Sequence, residues 1–467
     1  MYAADLALLS AAELVPLYRA RALGPPELVR AVLARIARLE PSLNAMVLVD
    51  EAGAIAAARE SEARWARGTP VGPLDGVPVT VKDLVDVAGF PTRRGSLVTD
   101  PSPRPDDAPL VQHLRRAGAI VVGKTTTTEF GWKSPGDCPL SGVTRNPRAL
   151  ARTPGGSSSG AAAAAAAGYG PLHVGTDAGG SIRIPAAWSG VVGVKPSFGR
   201  VPQWPLGAFG PVAVAGPMAR SVTDAALMLS GMAGFDWRDP FCLADPPRDF
   251  SQGIEAPVAG LRVGILRRPG FEAPASAQTW GAVERAAAAL GAQGARVEEV
   301  APDLPDTRAI FGRVWSLALA RLTELVAPEQ HGLLDRGILH VRDLAAGLPP
   351  TAFLEAEAMR VEVAHRLAAL HAGGIDVLLC PVVPDVAPQA DAPIDRPEEM
   401  LWTAWAPWTF AFNLSRQPAV SVPAGLDAKG LPLAVQVVAA LYRDDLALRA
   451  ARAVERGLGM LPVAEPS

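Results

Sequence analysis

The sequence predicts an α/β fold built on a largely parallel or mixed β-sheet. Two observations carry this. Short apolar runs of strand length alternate with helical segments along most of the 467 residues. The composition, 49% apolar and 19% charged, is that of a soluble globular chain long enough to bury a large core. Strands that alternate with helices favour a sheet with helices packed against it.

The elements follow in order. The first 45 residues read as helices: in "ELVRAVLARIARLE" Leu28, Val32, Ile36 and Leu39 form an apolar stripe at helical spacing, behind Pro25 and Pro26 at the helix start. From about residue 73 the pattern changes, and "GVPVTVKDLVDVAG" alternates as a strand does. "LVQHLRRAGAIVVGKT" reads as a helix, a turn at Gly118 and a buried strand over 119–122. Further strand-like runs are "LRVGIL" (261–266), "ARVEEV" (295–300), "DVLLC" (376–380), "AVSVPA" (419–424) and "LAVQVVAA" (433–440). Helical segments such as "VERAAAAL" (283–290) and "DLALRAARAVERG" (445–457) lie between most of them. No internal repeat is visible. Residues 236–260, rich in Pro and Asp, read as a surface excursion, and 300–410 as a mostly helical lid or subdomain over a site. We treat 1–467 as a single domain.

Several function classes are excluded early. The formal charge is −3 with Lys and Arg scattered, so a nucleic-acid partner, which wants a basic patch, is not expected. "MYAADLALLSAAEL" carries Asp5 and Glu13 where a signal peptide needs a basic start and an apolar run. No window reaches the roughly 18 apolar residues of a membrane span. The cysteines, Cys138, Cys242 and Cys380, are widely spaced and odd in number, which makes neither a disulfide framework nor a zinc ligand set. A cytoplasmic enzyme or binding protein is the expectation.

Two short motifs fail on context. "GAIVVGKT" (118–125) fits a phosphate-binding loop letter for letter, but its four central residues form the best strand candidate nearby and cannot also be the loop. "GSSSG" (156–160) fits the elbow that would make Ser158 a nucleophile, but the polar, Pro-broken "NPRALARTPG" precedes it where a buried strand is required.

Residues 154–190 survive the same scrutiny. "PGGSSSG" is a glycine–serine loop running into seven alanines, Ala161–Ala167, so its serines sit at the start of a tightly packed helix, where serine ordinarily acts as a cap. In "GTDAGGSIRIPA" the pair Gly179–Gly180 allows a sharp turn that exposes consecutive amides, as oxyanion stabilisation requires, and Ser181 ends that turn. Taken singly these residues have ordinary readings. A Gly–Ser loop is usually a turn. Lys82, on the face opposite Val77, Val79 and Val81, would be a solvated strand lysine. His173 reads as structural.

Taken together they resemble the amidase signature family. The likeness is strong over about 65–235, through "LDGVPVTVKD", "GKTTTTEF", "TRNP", "PGGSSSGAAAA", "GTDAGGSIRIPA", "VGVKPSFGRVP" and "GPMARSVTDA", and returns in "PAVSVPAGLDAKGLPLAVQ". The resemblance implies a central mixed β-sheet covered by helices on both faces. It places the catalytic triad on Lys82 as base, Ser157 as the serine in a cis peptide and Ser181 as nucleophile. Oxyanion amides fall on Ala178, Gly179, Gly180 and Ser181, and supporting positions on Ser158, Asp177 and Arg183. Of the two peptide bonds flanking Ser157, Ser157–Ser158 is the favoured cis bond.

The chemistry implied is hydrolysis of an amide to acid plus amine or ammonia through an acyl-enzyme, with no metal or organic cofactor. A lysine of ordinary pKa, about 10.4, is a poor base at neutral pH. The fold must therefore dry Lys82, against its ordinary reading. The expected partner is a small-molecule amide, with neither nucleic acid nor membrane, and a homodimer is compatible with the family. The resemblance leaves the substrate open between aliphatic and aryl amides, esters or carbamates (an aryl acylamidase or urethanase), and the glutamine of a glutaminase component in a tRNA-dependent amidotransferase. The cluster Trp402, Trp405, Trp408 and Phe410 in "LWTAWAPWTF" reads either as core or as an apolar pocket wall that would favour bulky groups.

Overall fold

The computed structural model describes residues 6–246, 248–392 and 397–466. Its strands, in chain order, are β1 (Met46–Val49), β2 (Pro78–Lys82), β3 (Ile120–Thr125), β4 (Asp137–Cys138), β5 (Gly142–Val143), β6 (Leu172–Asp177), β7 (Val192–Lys195), β8 (Val214–Ala219), β9 (Arg262–Leu266), β10 (Arg296–Val300), β11 (Val377–Pro381), β12 (Ala419–Leu426) and β13 (Pro432–Ala439). Eleven of them form one sheet in the order β1-β3-β2-β6-β8-β7-β12-β13-β11-β9-β10, and β4 and β5 form a separate ribbon. The sheet is mixed. β3, β2 and β6 run parallel, as do β11, β9 and β10. The central run through β8, β7, β12 and β13 is antiparallel.

Helices flank the sheet. The helices Ser159–Ala167 and Arg183–Ser189 pack on each other and on the sheet, the first on β6, β2 and β3 and the second on β7, β12 and β13. Val222–Met232, Ala277–Ala292 and Asp444–Leu458 form the other group. A seven-alanine helix suits this arrangement, because methyl side chains let its backbone approach the sheet closely and every one of its residues is buried. With layers on both faces, a central strand cannot show alternation. All five residues of β2 are buried, Lys82 included. The solvated reading of Lys82 fails for that reason.

Segment 236–260 is more than a surface excursion, since Phe250, Ile254 and Val258 anchor it in the main core. The stretch after residue 300 is largely helical, and helices Thr307–Glu324 and Ala352–Ala372 enclose a second, aromatic core. In it Phe209, Trp315, Phe311 and Phe410 stack in a column, with successive ring centroids 3.9, 5.0 and 4.8 Å apart. Phe311 packs against the Gly179 backbone so closely that a Cβ there would stand 2.5 Å from its ring. The column thus ties the helical region to the turn bearing Ser181.

Candidate active site

Three chain segments bring the site together. β2 ends on Lys82, the Gly–Ser loop delivers Ser157 and Ser158 to the start of a helix, and β6 ends on Asp177 just before the turn to Ser181. Lys82 Nζ lies 2.8 Å from Ser157 Oγ, 2.9 Å from Ser158 Oγ and 2.9 Å from Thr176 Oγ1. The amine is fully buried, and burial pulls its pKa well below the ordinary lysine value against the opposing pull of Asp177. The peptide bond between Gly156 and Ser157 is cis. This corrects the expectation of a cis Ser157–Ser158 bond.

The serines do not cap their helix through their side chains. Ser158 occupies the N-cap position without a side-chain cap bond. Its hydroxyl instead donates to the Thr176 carbonyl at 3.1 Å and accepts from Lys82. Thr176 was missed at the sequence level: its only signal was the place next to Asp177 at a strand end.

Asp177 and Arg183 form the rigid floor of the turn. Both are fully buried and paired at 3.0 Å. Asp177 Oδ1 accepts from the Gly180 amide at 2.8 Å, and Oδ2 from the Ile182 amide at 3.2 Å. Arg183 donates further to the Thr409 carbonyl, Gln436 Oε1 and Asn413 Oδ1. Asp177 has its pKa lowered to about 2: burial would raise it, but the Arg183 charge and hydrogen bond outweigh that. Its negative charge is thus balanced by Arg183 and gives Lys82 no direct counter-ion. The same bonds revise the set of oxyanion amides. The Gly180 N–H is engaged by Asp177, which leaves Ala178, Gly179 and Ser181 as candidates. Gly180 sits at φ 127°, where a side chain would be strained and a Cβ would meet Thr409.

Ser181 is almost fully buried, and among the described residues its Oγ has no hydrogen-bond partner. Its carbonyl accepts from the Ser158 amide at 3.1 Å, which locks the two serine segments together. Ser157 and Ser181 line one open cleft of about 900 Å³, its mouth included, walled by Leu84, Leu110, Phe130, Trp204, Phe209 and Leu322. Trp405, Trp408 and Phe410 of the aromatic cluster are not part of that wall. Trp405 packs edge-on against Trp132, Trp408 donates to the Pro274 carbonyl, and Phe410 stacks on Phe311, all of them buried. The Trp402 side chain lies outside the described residues. His173 is structural as expected: buried, with ring nitrogens 2.8 Å from Thr80 Oγ1 and 3.2 Å from the Gly170 carbonyl, and with a pKa that burial lowers to about 3. The rejected phosphate-loop match is indeed strand β3. Among the described residues no cluster of His, Cys, Asp or Glu could hold a metal ion, and no helix is long and apolar enough to cross a membrane.

The chain belongs to the amidase family, whose model matches residues 27–448. It is an amidase signature enzyme, a hydrolase of carbon–nitrogen amide bonds. Its particular relatives diverge in what they do. A glutamyl-tRNA(Gln) amidotransferase subunit from Anaeromyxobacter sp. (strain K) is 37% identical over 475 residues, covering 95% of each chain. The acylamidase of Rhodococcus erythropolis is 34% identical, over 95% of this chain and 94% of that one. The crystal structure of a bacterial aryl acylamidase of the amidase signature family superposes with a TM-score of 0.88 at 29% identity, covering 96% of both chains.

Proposed function

We propose that this chain hydrolyses amides by itself through Ser181, Ser157 and Lys82, on substrates with an apolar or aryl body. The observation that carries the reading is a fully buried lysine amine 2.8 Å from a serine hydroxyl, with no carboxylate among the described residues left to balance a charge on it. Three hydroxyls would accept equally well from an ammonium, so hydrogen bonding alone does not choose the protonation state. The missing counter-ion does, because an unpaired buried charge is driven to its neutral form. A neutral amine has two N–H donors and one lone pair. The Ser158 hydroxyl, already donating to Thr176, takes one donor and Thr176 Oγ1 the other. The lone pair is then left for the Ser157 proton.

In the proposed mechanism Ser181 Oγ attacks the amide carbon as its proton passes to Ser157 Oγ, whose own proton passes to Lys82 Nζ. The amides of Ala178, Gly179 and Ser181 hold the oxyanion. The relay then reverses, protonates the leaving nitrogen and breaks the C–N bond. Water, deprotonated along the same path, releases the acid from the Ser181 ester. The apolar wall of Leu84, Leu110, Phe130 and Phe209 supports apolar or aryl substrates, and esters and carbamates would fit the same path.

The kinship with amidotransferase subunits favours a second reading, a glutaminase that delivers ammonia within a complex. A panel of purified chain against acetanilide, pentanamide, phenyl acetate, a phenyl carbamate and L-glutamine separates the two. Unassisted turnover of the anilide, lost in Ser181→Ala, is the expected result. Inertness towards everything but glutamine would support the second reading.

A further inference from the structure

Arg94 lines the same cleft as Ser157 and Ser181. It lies in the left-handed region at φ 54°, unusual for a side-chain-bearing residue and most often tolerated at functional sites. Its backbone is clamped there: the Arg94 amide donates to the Asp83 carbonyl at 3.1 Å, and its carbonyl accepts from Phe130 at 2.8 Å. Phe130 is itself a cleft-wall residue at φ 51°. The chain therefore holds a half-buried guanidinium at the cleft through strained backbone.

That guanidinium stands outside the ion pairs around it among the described residues. Among the described residues it makes no side-chain hydrogen bond and has no carboxylate within 4.0 Å. Of the neighbouring acids, Asp83 pairs with Lys124 at 2.7 Å, and Asp86, which also borders the cleft, faces Arg104 Nε at 3.6 Å, too far for a hydrogen bond. Of the charged residues that line the cleft, Asp177 is held by Arg183 and Asp86 stands against Arg104, which leaves Arg94 without an ion pair among the described residues. Burial lowers the Arg94 pKa while Asp86 opposes it, but a guanidinium stays charged at neutral pH. An arginine held partly out of water without a counter-ion is a site for one.

We propose that Arg94 is a specificity-determining residue that binds a carboxylate carried by the substrate away from its scissile amide. The inference rests on the amidase reading and narrows it. The preferred substrate class is an amide with an apolar or aryl body and an acidic end. The planar fork of arginine suits a carboxylate in two-point contact.

Two matched pairs of substrates test this. One carries the charge on the amine side, 4-acetamidobenzoate against 4-methylacetanilide. The other carries it on the acyl side, glutaramate against pentanamide. Wild type should favour the acid in at least one pair by about tenfold or more in kcat/KM, the size expected of a charge-assisted hydrogen bond. Arg94→Met should bring that ratio to within about threefold of unity, and Arg94→Lys should keep part of it. Because the readout is a ratio within one variant, partial loss of folded protein does not distort it. No preference in either pair, or a preference that survives Arg94→Met, overturns the proposal. Turnover of the neutral members without acid preference would overturn the role of Arg94 while leaving the amidase reading intact. If none of the four is turned over, calorimetric binding of benzoate and glutarate to Ser181→Ala decides instead. Dissociation constants raised about tenfold by Arg94→Met support the proposal, and unchanged ones overturn it.

Discussion

Lys82 and Lys124 end up side by side in the sheet with opposite roles. They lie on adjacent parallel strands, β2 and β3, where Lys124 pairs with Val81 and Lys82 with Thr125. Both are completely buried, and burial lowers the pKa of both. Lys124 has a carboxylate, Asp83, 2.7 Å away, backed by the Thr92 hydroxyl and the Pro91 carbonyl. Lys82 has only hydroxyls and a carbonyl. One partner separates a structural ion pair from a candidate base. Residue type and burial, which the two share, do not.

Substitutions should pull the two apart. The largest effects are expected at the site: Ser181→Ala and Lys82→Ala should each lower kcat by about a thousandfold or more, read on any substrate the wild type turns over. A loss below about tenfold in Lys82→Ala would place the base elsewhere. Lys124→Met should act on stability instead. It leaves Asp83 buried and unpaired, at a cost of about 3–5 kcal/mol, visible in denaturant unfolding while the folded fraction keeps its chemistry. Lys82→Met should show the reverse, no activity with an unchanged or raised Tm, since it removes a buried polar group that has no counter-charge.

The pH dependence sharpens the contrast. The folded pKa of Lys82 lies below its unfolded value, so between the two the unfolded chain binds the extra proton. Stability should therefore rise with pH across that window, and Lys82→Met should flatten the rise. The neutral form is the active one, so kcat/KM should fall on the acid side as the amine protonates, and pH–rate profiles would record that limb.

The smallest expected effects concern the aromatic residues. Phe209 borders the cleft and Trp405 does not. Phe209→Ala should raise KM for a bulky anilide about tenfold more than for acetamide, by loss of apolar contact. Trp405→Ala should affect both amides by the same factor, and unequal factors would return Trp405 to the substrate wall.

Much of this was legible in the sequence, and the gaps have physical causes. Strands β9 to β13 stood out as apolar runs. Strands β6 (LHVGTD), β7 (VGVK) and β8 (VAGPMA) did not, because they carry Gly, His, Thr or Pro in strands buried on both faces. Lys82, Ser157, Ser181, Asp177 and Arg183 were found through motif resemblance, and the structure brings them to one place. Thr176, the Gly180–Asp177 bond and Arg94 depend on backbone direction, which no local pattern encodes. For Trp405, Trp408 and Phe410 the core reading holds and the pocket-wall reading does not; the sequence left both open because aromatic content alone does not say which way a ring faces.

The charge on Lys82 is the most direct test of the central claim. NMR of protein carrying 13C at the lysine Cε, with Lys82→Met to identify the signal, reads its protonation state at neutral pH. The expected result is a Cε shift of the neutral amine at pH 7, moving to the ammonium value only on acidification. A Lys82 signal that stays at the ammonium position through pH 7 and titrates near the ordinary lysine value of about 10.4 would contradict the account.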